Sequence, residues 1–298
     1  MKKICLYHKN CMDGFGAAYS VWMKDPTYEF VAIQYGDDLP DLEGYSEVLM
    51  VDFSLKRDQI EELMEKTKVV IIDHHVSAEK ELSPLRESPL LKIHNSEIMF
   101  NMDQSGAVMA WNYFHGELTE RGIEYTMYGR EYPPLLLRYI QDRDLWIKEL
   151  PESEEVTCFL QSEIDFLNTS FSDFNQLVRK FEYNSSVFMI AGRNVLKFKN
   201  KMIDTICANH RVDKFQACGK KWMVPYVNSS LFQSEIGNVL SRDYPFAVVY
   251  YTDEKSGKTI FSLRSNLNGE DVSVIAKSLG GGGHKHAAGF SKPSSRMR

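Results

Sequence analysis

The chain reads as an α/β protein with an N-terminal parallel-sheet α/β domain, a helical connector and a smaller C-terminal α/β lobe. Three observations predict this. Over the first half, apolar runs of strand length alternate with stretches of helical period, the pattern of a parallel sheet covered by helices. From about residue 166 the helical period takes over, and from Lys214 onward β-branched and aromatic runs separated by turn residues return. The length of 298 residues agrees, being about twice that of a typical domain. We place the boundaries at 1–165, 166–213 and 214–298.

Taken in order, Lys3-Ile4-Cys5-Leu6-Tyr7 is a strand that stops at His8. Asn10-Cys11-Met12-Asp13-Gly14-Phe15-Gly16-Ala17-Ala18 follows, and its small residues open a helix through Met23. Glu29 to Ile33 is a second strand, and Val48-Leu49-Met50-Val51 a third that stops at Asp52. A helix spans about Leu55 to Thr67, with Ile60, Leu63 and Met64 on one face. Val69-Val70-Ile71-Ile72 is a continuous apolar run, as in a strand buried on both faces, and it delivers Asp73-His74-His75. Ser105 to Trp111 begins another helix. Pro133-Pro134 precede Leu135 to Ile140, and proline suits a first helical turn, so this helix carries Asp142 at its end.

In the connector, Phe174, Leu177, Val178 and Phe181 recur at helical spacing, as do Val187, Ile190, Ala191, Val195 and Phe198 beyond a break at Asn184-Ser185-Ser186. The last lobe holds strands at Trp222–Val227, Phe246–Tyr251 and Thr259–Arg264, the latter two joined as a hairpin through Asp253, Lys255, Ser256 and Gly257.

Composition narrows the function. Hydrophobic content of 43% and charged content of 26% are those of an ordinary globular protein. A net charge of −6 argues against a long duplex-binding surface. From Asp253 to Arg298, eight Lys or Arg stand against four Asp or Glu, so a phosphate would be held there, although the charged tail at Arg296 and Arg298 is part of that excess. Five cysteines, an odd number without a C-x-x-C pair, fit reduced thiols of a cytoplasmic protein. The first residues reach His8 before any signal-type apolar stretch develops, and no run nears the ~18 apolar residues of a membrane span. A cytoplasmic protein without membrane contact is expected.

Three strands thus stop at His8, Asp52 and Asp73-His74-His75. Open α/β sheets bind ligands at the carboxyl ends of their strands, and imidazole nitrogen with carboxylate oxygen suits Mn, Zn or Fe. Hydrogen-bonded histidines at a capped strand end would explain one such motif, but three together favour a metal centre. Asp73 would fix the tautomer of a neighbouring histidine by accepting from its ring. Gly280 to Gly283 let the backbone approach a ligand and form an anion-binding nest, or serve as a flexible link. His284, with Lys285 or His286, adds donors, and Arg264 suits bidentate phosphate recognition. His94, His115 and His210 read as ordinary surface or core histidines, and Asp144 as an outer hydrogen-bond acceptor.

On these residues the chain resembles the DHH phosphoesterase superfamily, in the oligoribonuclease- and phosphodiesterase-like subgroup with the DHH-associated C-terminal domain. His8 to Ala18, Asp52, Asp73-His74-His75 and Asp142 in Ile140-Gln141-Asp142-Arg143-Asp144 resemble its four motifs in order, and Gly281 to Phe290 resembles the glycine-histidine motif of the associated domain. The resemblance implies two manganese ions, with Mg2+ or Co2+ as substitutes, held by His8, Asp13, Asp52, His74 and Asp142, Asp52 bridging. The third ligand of the first ion stays open between Asn10 and Cys11, because Cys11 stands where the family carries a carboxylate. It further implies that His75, beside Asp73, addresses the substrate phosphate or serves as an extra ligand. Arg264, Gly282, Gly283 and His284 would contact substrate in a cleft between the lobes. The implied activity is Mn-dependent hydrolysis of short single-stranded oligonucleotides or linear dinucleotides to mononucleotides. Alternatives are a phosphatase acting on polyphosphate, a cyclic nucleotide or a nucleotide 3′-phosphate, and a degenerate member that binds nucleotide or nucleic acid without cleaving it. Assembly is left open, a homodimer included.

Overall fold

In the computed structural model, which describes residues 2–119, 122–124 and 132–294, the apolar runs of the first half become one parallel sheet. Its strands β1 (Lys2–His8), β2 (Glu29–Ile33), β3 (Tyr45–Val51), β4 (Lys68–Asp73) and β5 (Glu97–Phe100) lie in the order β2-β1-β3-β4-β5. All four pairings are parallel. The chain leaves β1 to one side for β2 and then returns past it to β3. The strand order therefore reverses between β1 and β3, and such switch points open a crevice at the carboxyl ends of the strands.

Both faces of this sheet are covered, which is why its strands read as unbroken apolar runs. Cys5, Tyr7, Leu49, Val51, Val70 and Ile72 face helices α1 (Met12–Lys24), α5 (Gly106–His115), α6 (Leu135–Asp144) and α8 (Phe171–Tyr183), which contribute Ala17, Val21, Ala107, Trp111, Leu137, Phe174 and Phe181. Ile4, Leu6, Val48, Met50, Val69 and Ile71 face the opposite way, onto Ile60 and Met64 of α2 (Arg57–Lys66), Leu82 of α3 (Val76–Leu82) and Leu85. Each Val, Leu, Ile, Phe or Met among them stabilises the fold by about 1.5–3 kcal/mol relative to exposure. Helix α2 starts later than its apolar period suggested, at Arg57, because the Gln59 side chain accepts the Lys56 amide and caps the turn there. Helices α4 (Leu90–Ile93) and α7 (Ser153–Glu163) and the short antiparallel pair β6 (Glu117–Thr119) and β7 (Gly122–Glu124) complete this part.

The chain divides into two compact units, Met1–Leu196 and Lys197–Arg298, and the division falls inside helix α9 (Ser185–Cys207). The stretch read as a connector is thus helical: α8 buries Phe174, Val178 and Phe181 in the first unit, and α9 follows after Asn184.

The second unit is a six-stranded mixed sheet, β12-β13-β11-β10-β9-β8, built from β8 (Arg211–Ala217), β9 (Lys220–Asn228), β10 (Ala247–Asp253), β11 (Lys258–Arg264), β12 (Gly282–His284) and β13 (Ala287–Pro293). Among the described residues of this unit, only β9 and β10 pair in parallel. Helix α10 (Gln233–Leu240) connects them and packs Ile236 and Leu240 on Val227, Ala247 and Val249. Helix α11 (Val272–Ser278) covers the other face through Val272 and Ile275 against Val248, Leu263, Ala288 and Phe290. The β10–β11 hairpin closes at Asp253 and Lys258, as the turn residues predict. Arg296 and Arg298 lie outside the described residues. Among the described residues no helix is long and apolar enough to cross a membrane.

Candidate metal centre

The three strand ends converge at the switch point. β1 stops at His8, β4 at Asp73, and Asp52 follows β3 with φ of +52°. Left-handed backbone at a non-glycine residue is strained and is characteristic of functional sites. Asp52 is 1% exposed, and its two oxygens divide between two donor groups. Oδ1 lies 3.0 Å from His74 Nε2, while Oδ2 lies 3.5 Å from His8 Nδ1 and 3.6 Å from Cys11 Sγ. His74 Nε2 in turn lies 3.5 Å from Asp13 Oδ2 and 3.6 Å from Asp144 Oδ2.

Asp13 owes its place to a helix terminus. The first two amides of α5 donate to it, Gly106 to Oδ2 at 2.6 Å and Ala107 to Oδ1 at 3.0 Å, using N–H groups that no helix can satisfy internally. Gly106 has no substitute here, since a Cβ would sit 2.5 Å from Asp52 Cβ and 3.0 Å from Asp13 Oδ2. Gly14 is required for a similar reason, as its Cβ would meet the His8 carbonyl oxygen at 2.4 Å. The sequence marked Ser105 to Ala107 only as a helix start; a Ser-Gly-Ala opening after a strand is the signal that could have placed it at the centre.

Asp73 is fully buried and works as an organiser. Its Oδ1 accepts the His74 and His75 amides at 2.7 and 3.2 Å and faces His75 Nδ1 at 2.6 Å, while Oδ2 accepts the Ser54 hydroxyl at 3.0 Å. It therefore sets the tautomer and tilt of His75, a ring nitrogen of which also comes within reach of the Asp52 and His74 donors.

The carboxylate that α6 brings within 3.6 Å of His74 is that of Asp144, which the sequence reads as an outer acceptor. Asp142 holds the following loop instead: its Oδ1 accepts the Glu149 and Leu150 amides at 2.9 and 3.2 Å, and its carbonyl accepts the Ile147 amide at 3.0 Å. Its Oδ2 is buried without a hydrogen-bond partner among the described residues, but Asp142 belongs to none of the donor groups that gather within 4.8 Å of one another. Residues two apart on a helix point about 200° away from each other, so only one of the pair can face the strand ends. The loop so held contains Trp146 and Lys148, both with φ of +56°. Trp146 is 53% exposed, with the Arg143 guanidinium 4.3 Å and the Lys148 ammonium 5.0 Å from its ring.

Electrostatics ask for a cation. Burial, reinforced by Asp52 and Asp144, raises the Asp13 carboxyl well above its ordinary range, and burial likewise raises Asp144. Burial also opposes ionisation of Asp52, but the His74 and His8 rings outweigh it and hold Asp52 below the usual carboxylate range. Burial disfavours charge on His74, yet its hydrogen bond to Asp52 and the charges of Asp13, Asp52 and Asp144 carry it up to about 9. The Asp73 hydrogen bond raises His75, and burial followed by Asp52 and Asp13 pushes the Cys11 thiol up. A bound cation would take the place of the protons that these groups hold in its absence.

The donors fit a divalent ion. Metal–ligand bonds of about 2.1 Å place neighbouring ligand atoms about 3.0 Å apart at right angles and about 3.4 Å apart in a tetrahedron. The separations of 3.0 to 3.6 Å bracket these values. His8 Nδ1 is buried with no hydrogen-bond partner among the described residues. Asp13, Asp52, His74 and Asp144 would hold one ion; His8 and Asp52, with Cys11 beside them, a second. Asn10, with φ of +53°, turns the chain so that Cys11 can begin α1. His94, His115 and His210 stand outside these groups, near the carbonyls of Glu65, Ser20 and Cys207 respectively.

In the second unit, Arg264 ends β11 and donates to the Leu263 carbonyl at 2.9 Å and the Ser234 hydroxyl at 2.8 Å. Gly237 of α10 makes room for it, as a Cβ there would meet Arg264 Cγ at 2.6 Å. Arg264 pairs with Ala287, and Ala287 with His284, so Arg264 and His284 share one face across a small residue. Gly282 lies opposite Gly289 on that face. The glycine run is in part a helix stop: the Gly280 and Gly281 amides bond back to Lys277 and Ala276, with φ of +82° at Gly280. Gly282 to His284 then form the edge strand β12 and not an isolated nest. Lys285 and His286 brace the turn, the Lys285 carbonyl accepting from the Val272 amide and His286 Nδ1 lying 3.1 Å from the Ser265 hydroxyl.

The DHHA1 domain family matches residues 219–297. An uncharacterised protein, R106, of Acanthamoeba polyphaga mimivirus is 30% identical over 96% of this chain and 66% of its own. The oligoribonuclease NrnB of Bacillus subtilis is 24% identical over 96% of this chain and 72% of its own. The chain thus spans about two thirds of the length of these relatives. Among solved structures, the DHH domain of a member of a ribosomal-protein family superposes with a TM-score of 0.53 at 11% identity, over 100% of this chain and 84% of that one.

Proposed function

We propose, from the premise that the chain belongs to the DHH phosphoesterase superfamily in its subgroup with the DHH-associated C-terminal domain, that it is a metal-dependent phosphodiesterase. In this reading it hydrolyses short single-stranded oligonucleotides or linear dinucleotides to mononucleotides with manganese. The observation that carries the reading is the division of the Asp52 carboxylate between two donor groups, His74 with Asp13 and Asp144 on one side, His8 and Cys11 on the other. Bound divalent ions would neutralise phosphate oxygens and lower the pKa of a shared water.

The protein's own groups have distinct tasks. Asp73 holds His75 by Nδ1, leaving the imidazole as an oriented donor toward a phosphoryl oxygen that gains charge in the transition state. The α5 amides and the Ser105 hydroxyl hold Asp13 by both its oxygens, which keeps them where a cation needs them. Arg264, Gly282, Gly283 and His284 of the second unit contact the substrate's phosphate or base. The exposed Trp146, flanked by two cations, suits stacking of a nucleobase whose phosphate is anionic. Support for a short nucleic acid comes from the name of the B. subtilis relative and from the acidic balance of the chain, which disfavours a long duplex. Five cysteines with no disulfide among them fit work in the reducing cytoplasm.

The test is release of nucleoside monophosphate from RNAs of two to five nucleotides and from a linear dinucleotide with Mn2+, beside polyphosphate, a cyclic nucleotide and a nucleotide 3′-phosphate. His74→Ala and Asp144→Ala should lose activity while remaining folded. Turnover that persists in both variants would remove the proposal, and preference for a phosphomonoester would replace it with the phosphatase reading.

A further inference from the structure

We propose that Cys11 is itself a metal ligand, so that His8, Cys11 and Asp52 form a soft cation position that prefers Zn2+, Fe2+ or Co2+ to Mn2+ and Mg2+. The inference rests on the metal centre described above but not on the identity of the substrate.

The geometry of the three donors points to it. Cys11 Sγ and His8 Nδ1 lie 3.6 and 3.5 Å from the same oxygen, Asp52 Oδ2, and all three donor atoms fall within 4.8 Å of one another. Bonds of about 2.3 Å to sulfur and 2.1 Å to oxygen, at a tetrahedral angle, separate the two ligand atoms by about 3.6 Å. His8 Nδ1 is buried against this oxygen with no hydrogen-bond partner among the described residues, which costs free energy unless something else satisfies it. Asp52 Oδ1 is already turned to His74, so Oδ2 is the oxygen left for this second group.

The structural contacts of the Cys11 thiol, to Asp52 Oδ2 and the Gly14 amide, are ones that serine or aspartate would make at least as well, so they do not explain sulfur there. Cys11 is the N-cap residue of α1, a place that favours Ser, Thr, Asp or Asn because their oxygens accept from the helix amides. Cys5 and Cys158 are fully or nearly fully buried in apolar surroundings, whereas Cys11 is partly exposed and faces a carboxylate. On binding, the thiol proton leaves for solvent and the thiolate bonds the ion, with no change of oxidation state. Thiolate ligands favour Zn2+ and Fe2+ over the hard ions. The other position, Asp13, His74 and Asp144, contains only nitrogen and oxygen and keeps its affinity for Mn2+. The two positions therefore differ in how strongly they discriminate against Mn2+.

The experiment strips the full chain of metal with a chelator and reloads it anaerobically with Zn2+ or Co2+. X-ray absorption of the zinc-loaded protein should show a sulfur neighbour at about 2.3 Å, and the cobalt-loaded protein a thiolate-to-cobalt charge-transfer band in the near ultraviolet. Cys11→Ser and Cys11→Asp should lose both signals, and Cys11→Asp should shift the ratio of zinc to manganese retained in competition by at least about tenfold toward manganese. Since Cys11→Asp is the conservative replacement of one ligand by another, it serves as the folded control if Cys11→Ser is unstable. A metal shell of nitrogen and oxygen alone in the wild-type protein, or a Cys11 thiol that still reacts with a thiol reagent when two equivalents of metal are bound, would overturn the assignment. A sulfur-bound ion without hydrolysis of any phosphoester would leave this inference standing and retire the functional reading; hydrolysis with an oxygen and nitrogen shell would do the reverse.

Discussion

Replacing Gly106 by alanine tests whether the centre depends on the close approach of α5 to β3. The added Cβ would stand 2.5 Å from Asp52 Cβ and 3.0 Å from both Asp52 Cα and Asp13 Oδ2. Unbonded carbons rest at about 3.5–4.0 Å, so α5 or the end of β3 must retreat by about 1 Å. Both are packed into the same core and have nowhere open to go. Overpacking of this kind costs about 1–3 kcal/mol, and each kcal/mol lowers Tm by about 2–4 °C in a chain portion of this size. Alanine at the first helical position carries no propensity penalty, so any loss is steric. The retreat also pulls the Gly106 amide from Asp13, now bonded at 2.6 Å. A misplacement of about 1 Å at a reacting centre costs about a hundredfold in rate. Gly106→Ala should therefore remain folded at 25 °C with Tm lowered by about 2–12 °C, bind metal weakly, and turn over at least about a hundredfold slower than wild type. Calorimetry, metal titration and mononucleotide release on the same preparation measure all three. Wild-type metal affinity and turnover in a folded variant would refute the reasoning.

Asp144→Asn should weaken metal binding with little change in Tm, whereas Asp142→Asn should lower Tm first, because its carboxylate holds two loop amides and each hydrogen bond to a charged group is worth about 1.5–3 kcal/mol; paired melts and metal titrations separate the two, and a reversed pattern would restore Asp142 as ligand. Gly237→Ala should push Arg264 aside and raise KM about tenfold with a smaller effect on kcat, since the clash is with the Arg264 stem at 2.6 and 2.8 Å and one lost charged contact is worth about 1.5–3 kcal/mol; an unchanged KM would exclude Arg264 from substrate contact. Gly282→Ala meets nothing within 4 Å, so it should fold normally, and any change in turnover then reports a substrate contact. In chelator-treated protein His74 is carried up to about 9 from an ordinary 6.5. Its stabilising proton is fully present below pH ~6.5 and lost as pH rises through about 9. Raised Asp13 and Asp144 act in the same sense. The metal-free Tm should thus fall between pH 6.5 and 9.5, and a divalent ion should flatten the profile. A metal-free Tm that holds or rises over that interval would contradict the protonated cluster.

How much of the site could be read in advance depended on distance along the chain. His8, Asp52 and Asp73-His74-His75 each follow an apolar strand directly, so their place at a strand end was legible from local period. Asp13 was legible as a residue but not its support, which comes from amides 93 and 94 positions away. The glycine run was legible as backbone without side chains, while its partial use as a helix stop was not, because that depends on carbonyls of α11. Trp146 was visible only as a letter in a motif, and its exposure is set by the loop that Asp142 ties down.

Residue order alone was enough for the α/β class, the parallel sheet and the chemical types of the donors, because side-chain period and the residue after each strand are local properties of the chain. Folding in three dimensions brought Asp144 beside His74 and set Asp142 on the loop amides, split the Asp52 carboxylate between two donor groups and set the α5 amides on Asp13. Those choices turn on helix rotation and on sub-ångström gaps between segments far apart in the chain, and only the packed core resolves such gaps.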